Sequence, residues 1–158
     1  MTDHDLPFMR RAIALSRQAL ACGNAPYGAV LVKQGVVLAE ACNQQHSDND
    51  CTAHAETVLV RNAQRALGLP ALQAATVYAS GEPCAMCSGA MYWAGVRRVV
   101  YGASNAEMAR LMGGPLLPIS ARAVLAGASE TLEVEGPCLE REALEVLQDA
   151  ARSPAHLR

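Results

Sequence analysis

The chain has 158 residues, 13 Lys plus Arg against 15 Asp plus Glu, and a net charge of −2, which weighs against the basic stripe that gripping a phosphate backbone requires. No apolar run approaches membrane-spanning length, and the acidic start Met1-Thr2-Asp3-His4-Asp5 is unlike a signal peptide, so a cytoplasmic protein is expected. A chain of this size suits one domain, residues 1–158, that buries about 70% of its unfolded surface without disulfides, leaving its 6 cysteines free for chemistry.

In chain order, apolar spacing predicts a helix at about 8–21 and a hairpin of two strands around Gln34-Gly35. Thr52 is then read as the N-cap of an amphipathic helix. Its apolar side is Ala55, Val58, Leu59, Ala63, Ala66 and Leu67, and it stops at Gly68-Leu69-Pro70. Ala75 to Ala79 reads as a strand, Gly81-Glu82-Pro83 as a turn, and Cys84 to Trp93 as a helix opened by Pro83. Arg98 to Tyr101 is the next strand, and the Gly- and Pro-rich segment 112–118 is a loop. A short helix from Ile119 to Leu125, a strand from Glu130 to Val134 and a last helix through Leu139, Ala143, Leu144 and Leu147 complete an α/β pattern with no internal repeat.

His54-Ala55-Glu56 is followed by Pro83-Cys84-Ala85-Met86-Cys87. Cys84 and Cys87 have the two-residue spacer that brings both thiolates of one turn to one ion, and His54 adds a neutral nitrogen. A structural zinc site is closed by four such ligands, whereas a catalytic one keeps a position open. Three ligands and a nearby carboxylate therefore point to zinc hydrolysis, with water as nucleophile and Glu56 moving protons. Both halves lie at helix starts, where partial positive charge favours thiolate over thiol.

With its flanks, the pattern is identified as a member of the cytidine deaminase-like superfamily, in the branch of guanine deaminases and tRNA adenosine deaminases. The marks are Ala25-Pro26-Tyr27-Gly28-Ala29-Val30, Asn43, Asp50 to Glu56, and Gly81 to Ala90. The resemblance implies a three-layer α/β/α sandwich with a central mixed five-stranded sheet, one Zn2+ per chain held by His54, Cys84 and Cys87, and a homodimer. It implies hydrolytic deamination of a free amino-nucleobase or related heterocycle, with a tRNA adenosine deaminase as the alternative. Tyr27, Asn43, Ala55 and Trp93 fall at substrate-contacting positions; Tyr92-Trp93-Ala94 is similar to the guanine deaminases and favours a free base.

Two departures keep guanine, cytosine or isocytosine, and aminotriazines all open. No second acid stands in Met112-Gly113-Gly114-Pro115, where guanine deaminases carry one and Glu107 is the nearest upstream, and Cys51 replaces the family's proline. Ordinary readings compete at several sites: Tyr27 and Trp93 as core aromatics, Asn43 as a turn cap, Glu107 as an exposed carboxylate, and Cys22, Cys42 and Cys138 as small core residues. A binding module without turnover is a third reading, in which a fourth protein ligand, with Cys51 as the candidate, would close the ion.

Overall fold

The computed structural model describes residues 1–113 and 117–152. After a 3-10 turn at Asp3–Asp5 come α1 (Leu6–Ala21), β1 (Gly28–Lys33), β2 (Val36–Cys42), α2 (Ala55–Leu67), α3 (Leu69–Leu72) and β3 (Thr76–Gly81). These are followed by α4 (Ala85–Trp93), β4 (Arg98–Ala103), α5 (Asn105–Met112), α6 (Ala121–Leu125), β5 (Glu133–Glu135) and α7 (Glu140–Arg152). The strands form one mixed sheet in the order β2-β1-β3-β4-β5, with β1 antiparallel to β2 and β3 and the β3-β4-β5 pairs parallel.

Alternation along the central strands divides the core into two layers. Ala29, Leu31, Val77 and Val99 point to a cluster with Val58, Leu59, Leu72 and Met91 from α2, α3 and α4. Val30, Val32, Tyr78 and Val100 point to the opposite cluster, with Met9, Ile13, Met108, Val146 and Leu147 from α1, α5 and α7. Burial on both faces is why these strands are apolar almost without interruption. The expected three-layer arrangement with a mixed five-stranded sheet is what the chain forms.

Close backbone contact fixes α1 on the sheet. A Cβ on Gly28 would lie 2.5 Å from the Ala12 carbonyl oxygen and 2.7 Å from the Ser16 nitrogen, so only glycine lets the helix approach this near. At the other end of the sheet, Asp5 is buried at 4% side-chain exposure against the half-buried Arg98. Its carboxylate accepts from Arg98 at 2.8 and 3.0 Å, from the Tyr78 hydroxyl at 2.6 Å and from the Thr2 N–H at 2.7 Å. Arg98 also donates to Glu135 at 2.7 Å, joining the chain's start to β4 and β5.

Several boundaries differ from expectation for local reasons. His54, and not Thr52, occupies the N-cap of α2; Thr52 donates instead to Asp50 through its N–H at 2.8 Å and its hydroxyl at 2.6 Å. The fifth strand covers Glu133–Glu135 because it pairs only with Arg98–Val100, while Glu130 lies before it and pairs with Arg97. The short helix begins at Ala121, capped by the Ser120 hydroxyl, which accepts from the Ala123 N–H at 3.1 Å. Two helices, α3 and α5, were not anticipated. Of the expected loop 112–118, residues 114–116 lie outside the described residues.

Candidate active site

The site forms at the carboxyl ends of β3 and β4, the edge of a parallel sheet where connections separate and leave a crevice. Two helices start there. His54 is the N-cap of α2 and Cys84 the N-cap of α4, both with extended backbone, and Cys87 is the third residue of α4. N-cap and third-residue side chains share one side of a helix start, which is how the two-residue spacer brings the cysteines together. One nitrogen of His54 and the two cysteine sulfurs offer ligand atoms that all lie within 4.8 Å of one another, with the His54 Nδ1 3.6 Å from the Cys84 Sγ. One imidazole and two soft thiolates on converging helix starts suit zinc. Cys51 is exposed and stands outside this group.

Electrostatics at this cluster follow from crowding. The Cys84 thiol is drawn down to about 4, chiefly by the Cys87 thiol beside it and then by His54, against the opposing effect of burial. Cys87 moves the other way, above the usual thiol range, because it donates to Cys84 and is buried. His54 is raised by its contact with Cys84. Glu56, 7% exposed, reaches the Cys87 Sγ with Oε2 at 3.5 Å. Burial pushes its carboxyl above the ordinary glutamate value, so it is an acid suited to holding a proton.

A cavity of about 510 Å³ opens beside these groups, and His54, Glu56 and Cys84 line it together with Tyr27, Asn43, Met108, Met112 and Leu117, among others. Asn43 lies at this cavity and also holds a turn. It is 1% exposed and lines the cavity, while its amide donates to Gln45 Oε1 at 2.8 Å and accepts from the Gln45 N–H at 3.0 Å. Tyr27 packs its ring 3.1 Å from where a Cβ on Gly81 would lie, and burial, with Glu56 nearby, pushes its hydroxyl up to about 12.

Other expected contacts are elsewhere. Ala55 is fully buried in the apolar core and does not line the cavity. Trp93 ends α4 at 83% exposure, edge-on to Tyr92 and beside a separate shallow cleft. The physical reason is helical phase: Cys87, Ser88 and Met91 face inward, and at 3.6 residues per turn Trp93 falls on the outer side. Glu107 lies outside the cavity lining and pairs with Arg110 at 2.7 Å on the exposed side of α5.

Glu82 was missed. One carboxylate oxygen accepts from the Asn105 N–H at 2.9 Å and the other from the Ala121 N–H at 3.1 Å. The residue before Pro83-Cys84 thus ties the turn bearing the thiols to the starts of α5 and α6, which wall the cavity. Its position in the turn was visible, but its partners are 23 and 39 residues away and leave no local signal. Glu82→Gln puts an amide N–H against one of those donors. A loss of about 1–3 kcal/mol is expected in urea unfolding, with faster hydrogen exchange at the Asn105 or Ala121 amide.

The chain belongs to the family of the cytidine and deoxycytidylate deaminase zinc-binding region, whose model matches residues 2–103. It is a deaminase, and hydrolytic, zinc-dependent deamination is the chemistry typical of that family. A probable cytosine deaminase of Schizosaccharomyces pombe is 38% identical over 153 residues, covering 91% of this chain and 90% of the relative. A guanine deaminase of Bacillus subtilis is 42% identical over 103 residues, 65% of this chain and 66% of its own. A solved structure from a study of A-to-I editing by tRNA:A34 deaminases superposes with a TM-score of 0.75 at 34% identity, covering 89% of this chain and 98% of that one.

Proposed function

We propose that the chain deaminates a free amino-nucleobase or a closely related heterocycle, with one zinc ion per chain held by His54, Cys84 and Cys87 and with Glu56 as the proton carrier. The observation that carries this reading is a buried carboxylic acid of raised pKa beside a one-nitrogen, two-sulfur cluster, both opening on one cavity. When bound, zinc supplies the Lewis acidity that makes hydroxide available from water near neutral pH. Glu56 takes the proton released by the attacking water and passes it to the ring nitrogen next to the carbon under attack. It then takes the proton of the new hydroxyl on the attacked carbon and gives it to the exocyclic amine, which leaves as ammonia while the ring carbon becomes a carbonyl. Tyr27 and Asn43 bound the ring.

A pyrimidine comes first among the candidate bases. The cytosine deaminase relative is matched over nine-tenths of both chains, and the cavity's described lining has only two carboxylates. Glu56 is committed to proton transfer, and both oxygens of Glu82 are taken by backbone N–H groups. An acid of the kind the sequence comparison expects in guanine deaminases is missing from that lining. A tRNA substrate is the second reading, favoured by the likeness to the tRNA:A34 deaminase structure and opposed by the net charge of −2. A homodimer is supported by the outward side of α4, where Trp93 is 83% and Met86 37% exposed. Free thiols at all six cysteines agree with a cytoplasmic setting.

Ammonia release from guanine, cytosine, isocytosine, ammeline and adenosine by zinc-loaded protein tests the reading. Turnover of at least one free base is expected, with cytosine first. Inosine formation in tRNA with no ammonia from any free base would replace it by the second reading.

A further inference from the structure

Thr57 follows Glu56 and is the third residue of α2, the same helix position that Cys87 holds in α4. Its hydroxyl has one described partner, the Cys87 Sγ at 3.3 Å. The two helix starts therefore meet twice, through their capping residues His54 and Cys84 and through these third residues. A hydroxyl and a thiol can each donate or accept, but a cysteine that ligates a metal is a thiolate and only accepts. With metal bound, the direction of the contact is fixed: Thr57 donates.

The other neighbours of the Cys87 sulfur are Glu56 Oε2, at 3.5 Å, whose proton is one it passes on to the substrate, and Cys84, which has none once it is itself a ligand. Hydrogen bonds to an ionised acceptor are roughly twice as strong as neutral ones, and groups that orient metal ligands commonly matter about 10–100-fold for metal affinity or activity.

We infer that Thr57 is a positioning residue of the metal site, donating its hydroxyl to the Cys87 thiolate so as to fix that sulfur and hold α2 and α4 together around the ion. The inference rests on the zinc-dependent reading above. Thr57 is not among the residues that line the cavity, so its effect falls on the metal and not on substrate contact.

Thr57→Val keeps the shape and deletes the donor, whereas Thr57→Ser keeps the donor and deletes a methyl group. Zinc affinity of each metal-stripped protein is measured by competition with a chromophoric chelator, and the sulfur-to-metal charge-transfer bands are recorded with cobalt(II) in place of zinc. Thr57→Val is expected to bind zinc about 10–100-fold more weakly, with shifted cobalt bands and an unchanged metal-free Tm, while Thr57→Ser stays close to wild type. Wild-type affinity and bands in Thr57→Val would overturn the inference, as would Thr57→Ser behaving like Thr57→Val, which would make the methyl group the relevant part. A wild-type protein that takes up neither metal would overturn the zinc-dependent reading itself.

Discussion

Glu56→Gln is expected to lower kcat by about 10²–10⁴, the usual worth of a positioned general acid and base, while zinc content stays at the wild-type level. Glutamine has nearly the same volume and still fits the 7% exposed site, but it can neither take the proton of water nor return it to the ring nitrogen. Both transfers fail together, so the loss belongs in kcat and kcat/KM alike, with little change in ground-state binding. Metal analysis beside steady-state kinetics checks this. A variant that retained more than a tenth of wild-type kcat would remove Glu56 from the proton path, and one that lost its zinc would make Glu56 a structural support for the ligands.

Asp5→Asn should be the most destabilising conservative change far from the cavity, by about 3 kcal/mol at neutral pH. That is the lower end of the range for breaking a buried ion pair, because Arg98 keeps Glu135. Asp5 is held well below the usual carboxylate range, first by Arg98, then by the Tyr78 hydroxyl and the Thr2 N–H, against the cost of burial. A depressed folded-state pKa contributes stability that is complete above the unfolded value, about 3.9, and is lost as pH falls through the folded value. The gap between wild type and variant should therefore be constant from pH 7 to about 5 and shrink below about 4. Urea unfolding across that range reads it directly. A gap that stayed the same at pH 3 would mean that packing or geometry, and not the charge of Asp5, is responsible.

The parts legible from sequence were those whose signal is local. His54, Glu56, Cys84 and Cys87 are spaced by helix-start geometry, and the apolar runs at Ala29–Val32, Val77–Tyr78 and Val99–Val100 mark strands buried on both faces. What was not legible depends on distant partners or on phase. Helix α5 has only eight residues, and the cap at Ser104 is completed by Glu140, which accepts from its N–H at 3.0 Å and its hydroxyl at 2.6 Å. Nothing within the segment announces that Met108 and Met112 wall the cavity. Trp93 misled because its aromatic type suits a flat base, whereas the inward positions of α4 had already set its direction.

X-ray absorption at the zinc edge on purified, fully folded protein bears most directly on the chemistry assigned to this chain. One zinc per chain with two sulfur neighbours and one imidazole from the protein is the expected result. A third sulfur, a second imidazole, or protein without stoichiometric zinc would contradict an open site with Glu56 at its side.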